Sequence, residues 1–149
     1  MKAVIQRVSR AAVTVESELI ESIGQGLLVL LGVQEGDSEK DASYLADKIA
    51  NLRIFADSDG KFNLSVKDVK GKVLVVSQFT LLADSRKGRR PNFIAAAHPS
   101  VAEPLVLRFN DIVASLGVAV AAGRFGAHMS VEIINDGPVT VILDSRGRG

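Results

Sequence analysis

Two short polar segments of this 149-residue chain end apolar runs and carry groups that could do chemistry. Ser77-Gln78-Phe79-Thr80-Leu81 follows the run Val73 to Val76 and offers two hydroxyls, an amide and backbone N–H groups at a strand terminus. Asn135-Asp136-Gly137-Pro138-Val139-Thr140 lies between two late strand-like runs and sets a Gly-Pro peptide in a bend. Alternation sends Ser77 and Phe79 to one face of the strand and Gln78 and Thr80 to the other. On residue types alone the first segment is either a strand running out into a loop or a site built largely from backbone. The second is either a hairpin, for which Asp-Gly between apolar strands is a strong signal, or a bend of unusual geometry. A proline beside paired strands removes a ladder donor, and X-Pro bonds are cis in about 5% of folded-protein cases.

Other chemistries find little support. The two histidines, His98 and His128, lie in no nucleophile motif, and Thr80 has no obvious base. His98 precedes Pro99 at a helix entrance and His128 stands at a strand start, places that suit surface or structural roles. Gly24-x-Gly26 and Gly32-x-x-x-Gly36 lack the helix N-terminus and lysine of a phosphate-cradling loop. Asp57-Ser58-Asp59-Gly60 is turn chemistry: counted from Asp57, an EF-hand would need a bidentate Glu where Asp68 stands, and Phe62 and Leu64 fill intervening places. Cysteine is absent, which excludes thiolate catalysis, disulfides and Cys-ligated metals.

The elements that must position these segments follow from periodicity. Lys2 to Val8, Ala12 to Glu16 and Leu19 to Ile23 read as strands, and Leu27 to Val33 as a buried one. Ser38 caps a helix whose apolar positions Ala42, Leu45, Ala46, Ile49 and Leu52 recur at helical spacing. Lys72 to Val76 is a central strand. Ser100-Val101-Ala102-Glu103 has the form of a capping box opening a second helix, with Leu105, Phe109, Ile112, Val113 and Leu116 inward and Gly117 as its stop. Val118 to Ala122, Met129 to Ile134 and Val139 to Leu143 complete the strands. Grouped strands without regular strand–helix alternation predict an α+β fold of two packed, partly barrel-like sheets, mostly antiparallel, with two main helices. Residues 1–149 read as a single domain, and 47% hydrophobic content supplies its core.

The longest apolar run, Leu27 to Leu31, is far too short to span a membrane, and the first residues lack a signal peptide's apolar stretch. A soluble, cytoplasmic protein is the expectation. A net charge of +1 argues against coating nucleic acid by bulk electrostatics, so any RNA contact is local. Two localities offer it: Arg86-Lys87-Gly88-Arg89-Arg90-Pro91 and the tail Arg146-Gly147-Arg148-Gly149.

Taken together, Ser77-Gln78-Phe79-Thr80 and Asn135-Asp136-Gly137-Pro138-Val139-Thr140 resemble the two signatures of the bacterial and eukaryotic type of D-aminoacyl-tRNA deacylase. The likeness extends to Ile5-Gln6-Arg7-Val8-Ser9-Arg10, to Gly26 through Val33 and to Gly123-Arg124-Phe125-Gly126-Ala127, in order over nearly the whole chain. It implies an enzyme that hydrolyses the ester joining a D-amino acid, or mischarged glycine, to the terminal adenosine of tRNA, with no metal and no organic cofactor. It also implies a homodimer in which a cis Gly137-Pro138 peptide of one subunit enters the other's pocket, opposite Ser77 to Thr80. The rigid carbonyls would hold the substrate's amino group so that an L side chain is driven into backbone, which cannot repack as side chains can. By the same resemblance, the N–H groups of Phe79 and Thr80 are candidates to stabilise the oxyanion, and the tRNA's own 2'-hydroxyl assists the attacking water. Asn135 belongs to the chiral-selection motif, Arg7 matches a position that braces the Gly-Pro loop, and Phe125 and Met129 match the apolar wall around the adenosine. The loop Arg86 to Arg90 is richer in positive charge than the resemblance requires and suits acceptor-stem phosphates. Two readings compete: an RNA-binding module without catalysis, and a generic esterase with Thr80 as nucleophile.

Overall fold

In the computed structural model, which describes residues 1–147, the two expected N-terminal strands are one. Strand β1 (Lys2–Val15) runs unbroken through the exposed pair Ser9-Arg10. Its buried positions change phase there: Ala3 and Ile5 face one core, whereas Val8, Ala11, Val13 and Val15 face another. The register against its neighbour shifts on both sides of Val8. A local irregularity in a long strand breaks the period of two and looks, in sequence, like a turn.

Glu16 and Ser17 both adopt positive φ, 49° and 64°, in the tight turn to β2 (Glu18–Ile23). That left-handed turn matches the twist of the strands it joins. After a short break at Gly24-Gln25, β3 (Gly26–Gly32) continues antiparallel along the first half of β1. An ideal Cβ on Gly26 would collide with the Lys72 carbonyl oxygen, so the close approach of the next strand requires a glycine there.

From β3 onward strand and helix do alternate, which the periodicity did not reveal. Helix α1 (Glu39–Asn51) and the small antiparallel pair β4 (Phe55–Ala56) and β5 (Phe62–Leu64) carry the chain across to β6 (Lys72–Ser77), which lies parallel to β3. Helix α2 (Pro99–Ser115) carries it to β7 (Ala119–Ala122), parallel to β6. Parallel strands covered on both faces read as continuous apolar runs rather than alternating ones. Leu27, Val29, Leu31, Val73 and Val75 accordingly pack with α1 and α2, while Leu28, Leu74 and Val76 point into the second core with Val8, Val13 and Ile23.

The main sheet has the order β2-β1-β3-β6-β7, with the last strand, β8 (Ser130–Asp144), on the free side of β1. Because β2 also touches β6 and β7, the sheet curls toward a barrel, and β4 and β5 form the small second sheet. The α+β class with two main helices and mostly antiparallel pairing is the architecture observed.

Two local expectations are corrected. Ser38 does open α1, its N–H donating to Asp41 Oδ2 at 2.9 Å. In α2, however, Ser100 is not the cap: with Pro99 in the first turn, the helix starts earlier, and His98 caps it by accepting from the Ser100 N–H at Nδ1, 3.2 Å. Gly117, at φ +90°, closes α2 as expected. The second correction concerns Met129 to Ile134 and Val139 to Leu143, expected as separate strands, which are both parts of β8; of the two readings of Asn135–Thr140, the bend of unusual geometry is the one observed. This segment is no hairpin: β8 is one strand that pairs with β1 on both sides of an excursion. Gln6 faces Thr140 and Val8 faces Asn135, so two steps along β1 (6 to 8) match five along β8 (135 to 140), and three extra residues leave the ladder. Pro138, which has no N–H to give, sits in that excursion.

Candidate active site

The turn that follows β6 depends on close packing against β3. Ser77 is the last residue paired with β3, the Gln78 N–H donates to the Leu31 carbonyl at 2.8 Å, and Phe79–Leu82 form a short 3-10 turn. Gly32 makes room for it: an ideal Cβ there would lie 2.6 Å from Leu82 Cδ2 and 3.0 Å from the Gln78 carbonyl oxygen. The N–H groups of Phe79 and Thr80, at the start of this turn, donate to no acceptor among the described residues.

A cavity of ≈ 630 Å³ opens beside this turn. Ser77, Gln78 and Phe79 form one wall. Phe93, Ala96 to Pro99 and Ala102 form a second, held to the end of β3 by the Ala97 N–H donating to the Val33 carbonyl at 3.0 Å. Phe125 to Met129, after β7, form a third, and Met129 rests on Gly123, whose added Cβ would come within 2.8 Å of its sulfur. Phe79 and Phe93 meet edge to face, centroids 5.1 Å apart. His98 and His128 are the titratable groups of the lining, which holds no carboxylate. Nδ1 of His98 accepts from the Ser100 N–H at 3.2 Å and lies 2.8 Å from the Ser100 hydroxyl. An apolar cleft with a few convergent polar groups and unsatisfied backbone donors suits an ester substrate attacked by water better than a charged substrate needing side-chain acids and bases.

Of the expected residues, Ser77, Gln78, Phe79, Phe125 and Met129 therefore share one cavity. Thr80 is at its edge but not in its lining, and its exposed hydroxyl accepts a close hydrogen bond from Gln78 Nε2. Both histidines, which lie in no chemical motif, do reach the cavity, as do Phe93, Ala96 and Pro99. The proximity of Phe93 to the basic run was the available signal for that wall.

Arg7, Asn135, Gly137 and Pro138 are elsewhere. They form a second locus on the outer side of β1, where none of them lines the cavity. Arg7 is largely buried, 12% exposed, and ties the excursion down: Nε donates to the Asp136 carbonyl at 3.0 Å and Nη1 to the Ile54 carbonyl at 2.8 Å, with the cation 5.3 Å from the Phe62 ring centre. Asn135 closes it from inside, Oδ1 accepting from the Val139 N–H at 2.8 Å and Nδ2 donating to Thr140 Oγ1 at 3.2 Å. Gly137 is at φ +134°, and an added Cβ would meet Val139 Cγ2 at 2.8 Å and Arg7 Nη2 at 3.1 Å. The Gly137-Pro138 peptide is cis, and Asp136, Gly137 and Pro138 are exposed.

A third feature adjoins the cavity. Arg86 Nε and Nη2 donate to Asp84 at 2.9 and 2.7 Å, and its backbone N–H donates to the same carboxylate at 3.1 Å. These bonds hold the Asp84 carboxyl at about 2, well below the usual carboxylate range. In the tail, Arg146 is drawn inward to Asp37, Nη2 to Oδ1 at 3.1 Å, and Arg148 and Gly149 lie outside the described residues.

The geometry agrees with the comparisons to known proteins. The D-Tyr-tRNA(Tyr) deacylase family model matches residues 4–144. The chain belongs to this family. A D-aminoacyl-tRNA deacylase from Dehalococcoides mccartyi is 63% identical over 148 residues, covering 99% of this chain and 97% of that one. One from Roseiflexus sp. is 61% identical over 145 residues, covering 97% and 94%. Among solved structures, a c-Myc DNA Unwinding Element Binding Protein superposes with a TM-score of 0.91 at 43% identity, covering 97% of this chain and 98% of that one. A structure described as a probable eukaryotic D-amino acid tRNA deacylase shares the fold, with a TM-score of 0.79 at 17% identity over 95% and 97% of the two chains. Among the described residues, no helix is long and apolar enough to cross a membrane.

Proposed function

We propose that this chain hydrolyses the ester bond of D-aminoacyl-tRNA, and of mischarged glycyl-tRNA, to release the free amino acid and tRNA in the cytoplasm. The observation that carries the mechanism is the separation of the two signatures: Ser77–Phe79 open into the cavity, whereas the braced, exposed Gly137-Pro138 excursion belongs to a different face of the same chain. A homodimer joins them, the excursion of one subunit entering the cavity of the other. The surface around the excursion supports such pairing. Strand β8 is bonded to β1 on one side only, and Ile134 and Ile142 are 48% and 73% exposed along it, an apolar strand that a monomer would leave unprotected.

In the assembled site the terminal adenosine packs between Phe125 and Met129, and the scissile carbonyl lies against the free N–H groups of Phe79 and Thr80, which take up the oxyanion as water attacks. The 2'-hydroxyl of the substrate assists the water, as the resemblance to the deacylase family implies. Gly137 and Pro138, held by Arg7 and Asn135, receive the amino group and leave no room for an L side chain; glycine passes for want of one. The decisive measurement is deacylation of D-tyrosyl-tRNA and L-tyrosyl-tRNA by the purified protein. Rapid loss of the D ester with the L ester spared is expected; equal rates on the two isomers reject the reading.

A further inference from the structure

Four of the chain's basic residues fall within five positions, Arg86, Lys87, Arg89 and Arg90, although the net charge is only +1. Asp84 and Asn92 exchange both backbone hydrogen bonds, at 2.8 and 3.0 Å, and so pinch residues 85–91 into a projecting loop. The loop is rooted at the cavity, because Phe93 follows Asn92 directly and packs on Phe79. Its cations are not equivalent. Arg86 is spent on both oxygens of Asp84, whereas Lys87, Arg89 and Arg90 are exposed and have no acidic partner among the described residues. Three neighbouring like charges repel one another unless an external anion lies among them. Beside them Ile94, at the loop's base, is 87% exposed. Cations next to an apolar platform match a chain of phosphates carrying unpaired bases better than they match a small anion.

We propose that Lys87, Arg89 and Arg90 grip the phosphates of the RNA strand leading to the terminal nucleotide, with Ile94 supporting an unpaired base at the cavity rim. This inference rests on the reading of the substrate as a charged tRNA. The cavity then handles the aminoacyl-adenosine and the loop handles the strand behind it, so the loop sets how much polynucleotide, rather than which ester, the protein prefers. Arg86 serves to hold the loop's base through Asp84 and takes no phosphate.

Binding of uncharged tRNA between about 50 and 200 mM salt tests this directly, since each phosphate neutralised on a single strand contributes about 0.7 to the slope of log K against log salt. The triple variant Lys87→Ala/Arg89→Ala/Arg90→Ala should lower that slope by about 2, and Arg108→Ala, at a helix arginine paired with Glu39 away from the loop, should leave it unchanged. The triple variant should also lose at least about tenfold in kcat/KM on D-tyrosyl-tRNA through KM, while its turnover of D-tyrosyl-adenosine shifts less than about twofold. An unchanged salt slope in the triple variant, an equal drop for Arg108→Ala, or the same loss on D-tyrosyl-adenosine overturns the proposal. If the native protein cleaves neither ester, the reading of its chemistry falls, yet the salt slope with uncharged tRNA still decides whether the loop grips RNA.

Discussion

The turn after β6 and the excursion in β8 are both departures from strand pairing, and they are stabilised in opposite ways. The turn at Gln78–Leu82 is held by shape: Gly32 offers no side chain, Leu82 fills the space, and the backbone donors at Phe79 and Thr80 stay unused. The excursion at Asp136–Pro138 is held by hydrogen bonds: Arg7 and Asn135 satisfy its backbone from two sides, and its tip stands in solvent. A region kept in place by packing can leave polar groups free for a substrate. One kept in place by polar braces becomes a rigid obstacle, which is what a filter for handedness requires.

The largest expected effect comes from spoiling the packing. In Gly32→Ala the new methyl falls 3.0 Å from the Gln78 carbonyl oxygen and within 2.6 Å of Leu82 Cδ2, and backbone cannot rotate away as a side chain can. The turn shifts, and displacing one oxyanion donor costs roughly 10²–10³ in kcat, against a stability loss of about 1–3 kcal/mol for overpacking. Single-turnover hydrolysis of D-tyrosyl-tRNA alongside thermal unfolding separates the two. A variant with normal kcat would mean that the turn's position is irrelevant to the chemistry.

Next in size is a subunit-exchange experiment, which asks whether the two regions meet across an interface. Gly137→Val places a branched side chain at φ +134° against Arg7 and Val139, so it deforms the excursion and should let L-tyrosyl-tRNA be cleaved. Ala96→Trp fills the cavity of its own subunit and should be inactive. When Gly137→Val protein is exchanged with excess Ala96→Trp protein, each open cavity receives a native excursion from its partner. Cleavage of the L ester should then fall about tenfold or more, the factor carried by 1.4 kcal/mol of steric exclusion. No change on mixing would mean that the filter acts within one chain.

How much of this was legible in the sequence depended on the kind of constraint. The strand end marked by Ser77, helix faces set by Leu45 and Ile49 or Phe109 and Val113, and the stop at Gly117 are local signals, and local periodicity found them. The parallel pairing of β3, β6 and β7 was not legible, because strands buried on both faces, such as Leu27 to Leu31, lose their alternation. The excursion was legible as a bend of unusual geometry at Gly137-Pro138, but not as a departure inside one continuous strand. Asp136-Gly137 favours a hairpin locally, and only the long partner strand β1, which continues past Gln6 and Val8 on both sides, overrides it. The role of His98 was hidden for a similar reason. Ser100 and Glu103 have the spacing of a capping box, but Pro99 shifts the helix start so that the imidazole becomes the cap and the cavity wall.

The smallest predicted effect bears on the same contrast at the boundary of the cavity. If the turn works through its backbone, the Thr80 side chain is expendable: it is exposed, it lies outside the lining, and its oxygen is already engaged by the Gln78 amide. A nucleophilic hydroxyl would instead need an adjacent base to take its proton, and the partner of the Thr80 hydroxyl is the Gln78 amide, not an imidazole or a carboxylate. Thr80→Ala should therefore change kcat by less than about threefold, under 1 kcal/mol of transition-state stabilisation, while Thr80 keeps its backbone N–H in either form. Measured kcat with D-tyrosyl-tRNA, together with mass spectrometry of the quenched reaction, distinguishes the two chemistries. Loss of turnover in Thr80→Ala and an acylated peptide containing Thr80 in the native protein would transfer the reaction from backbone and water to a covalent side chain.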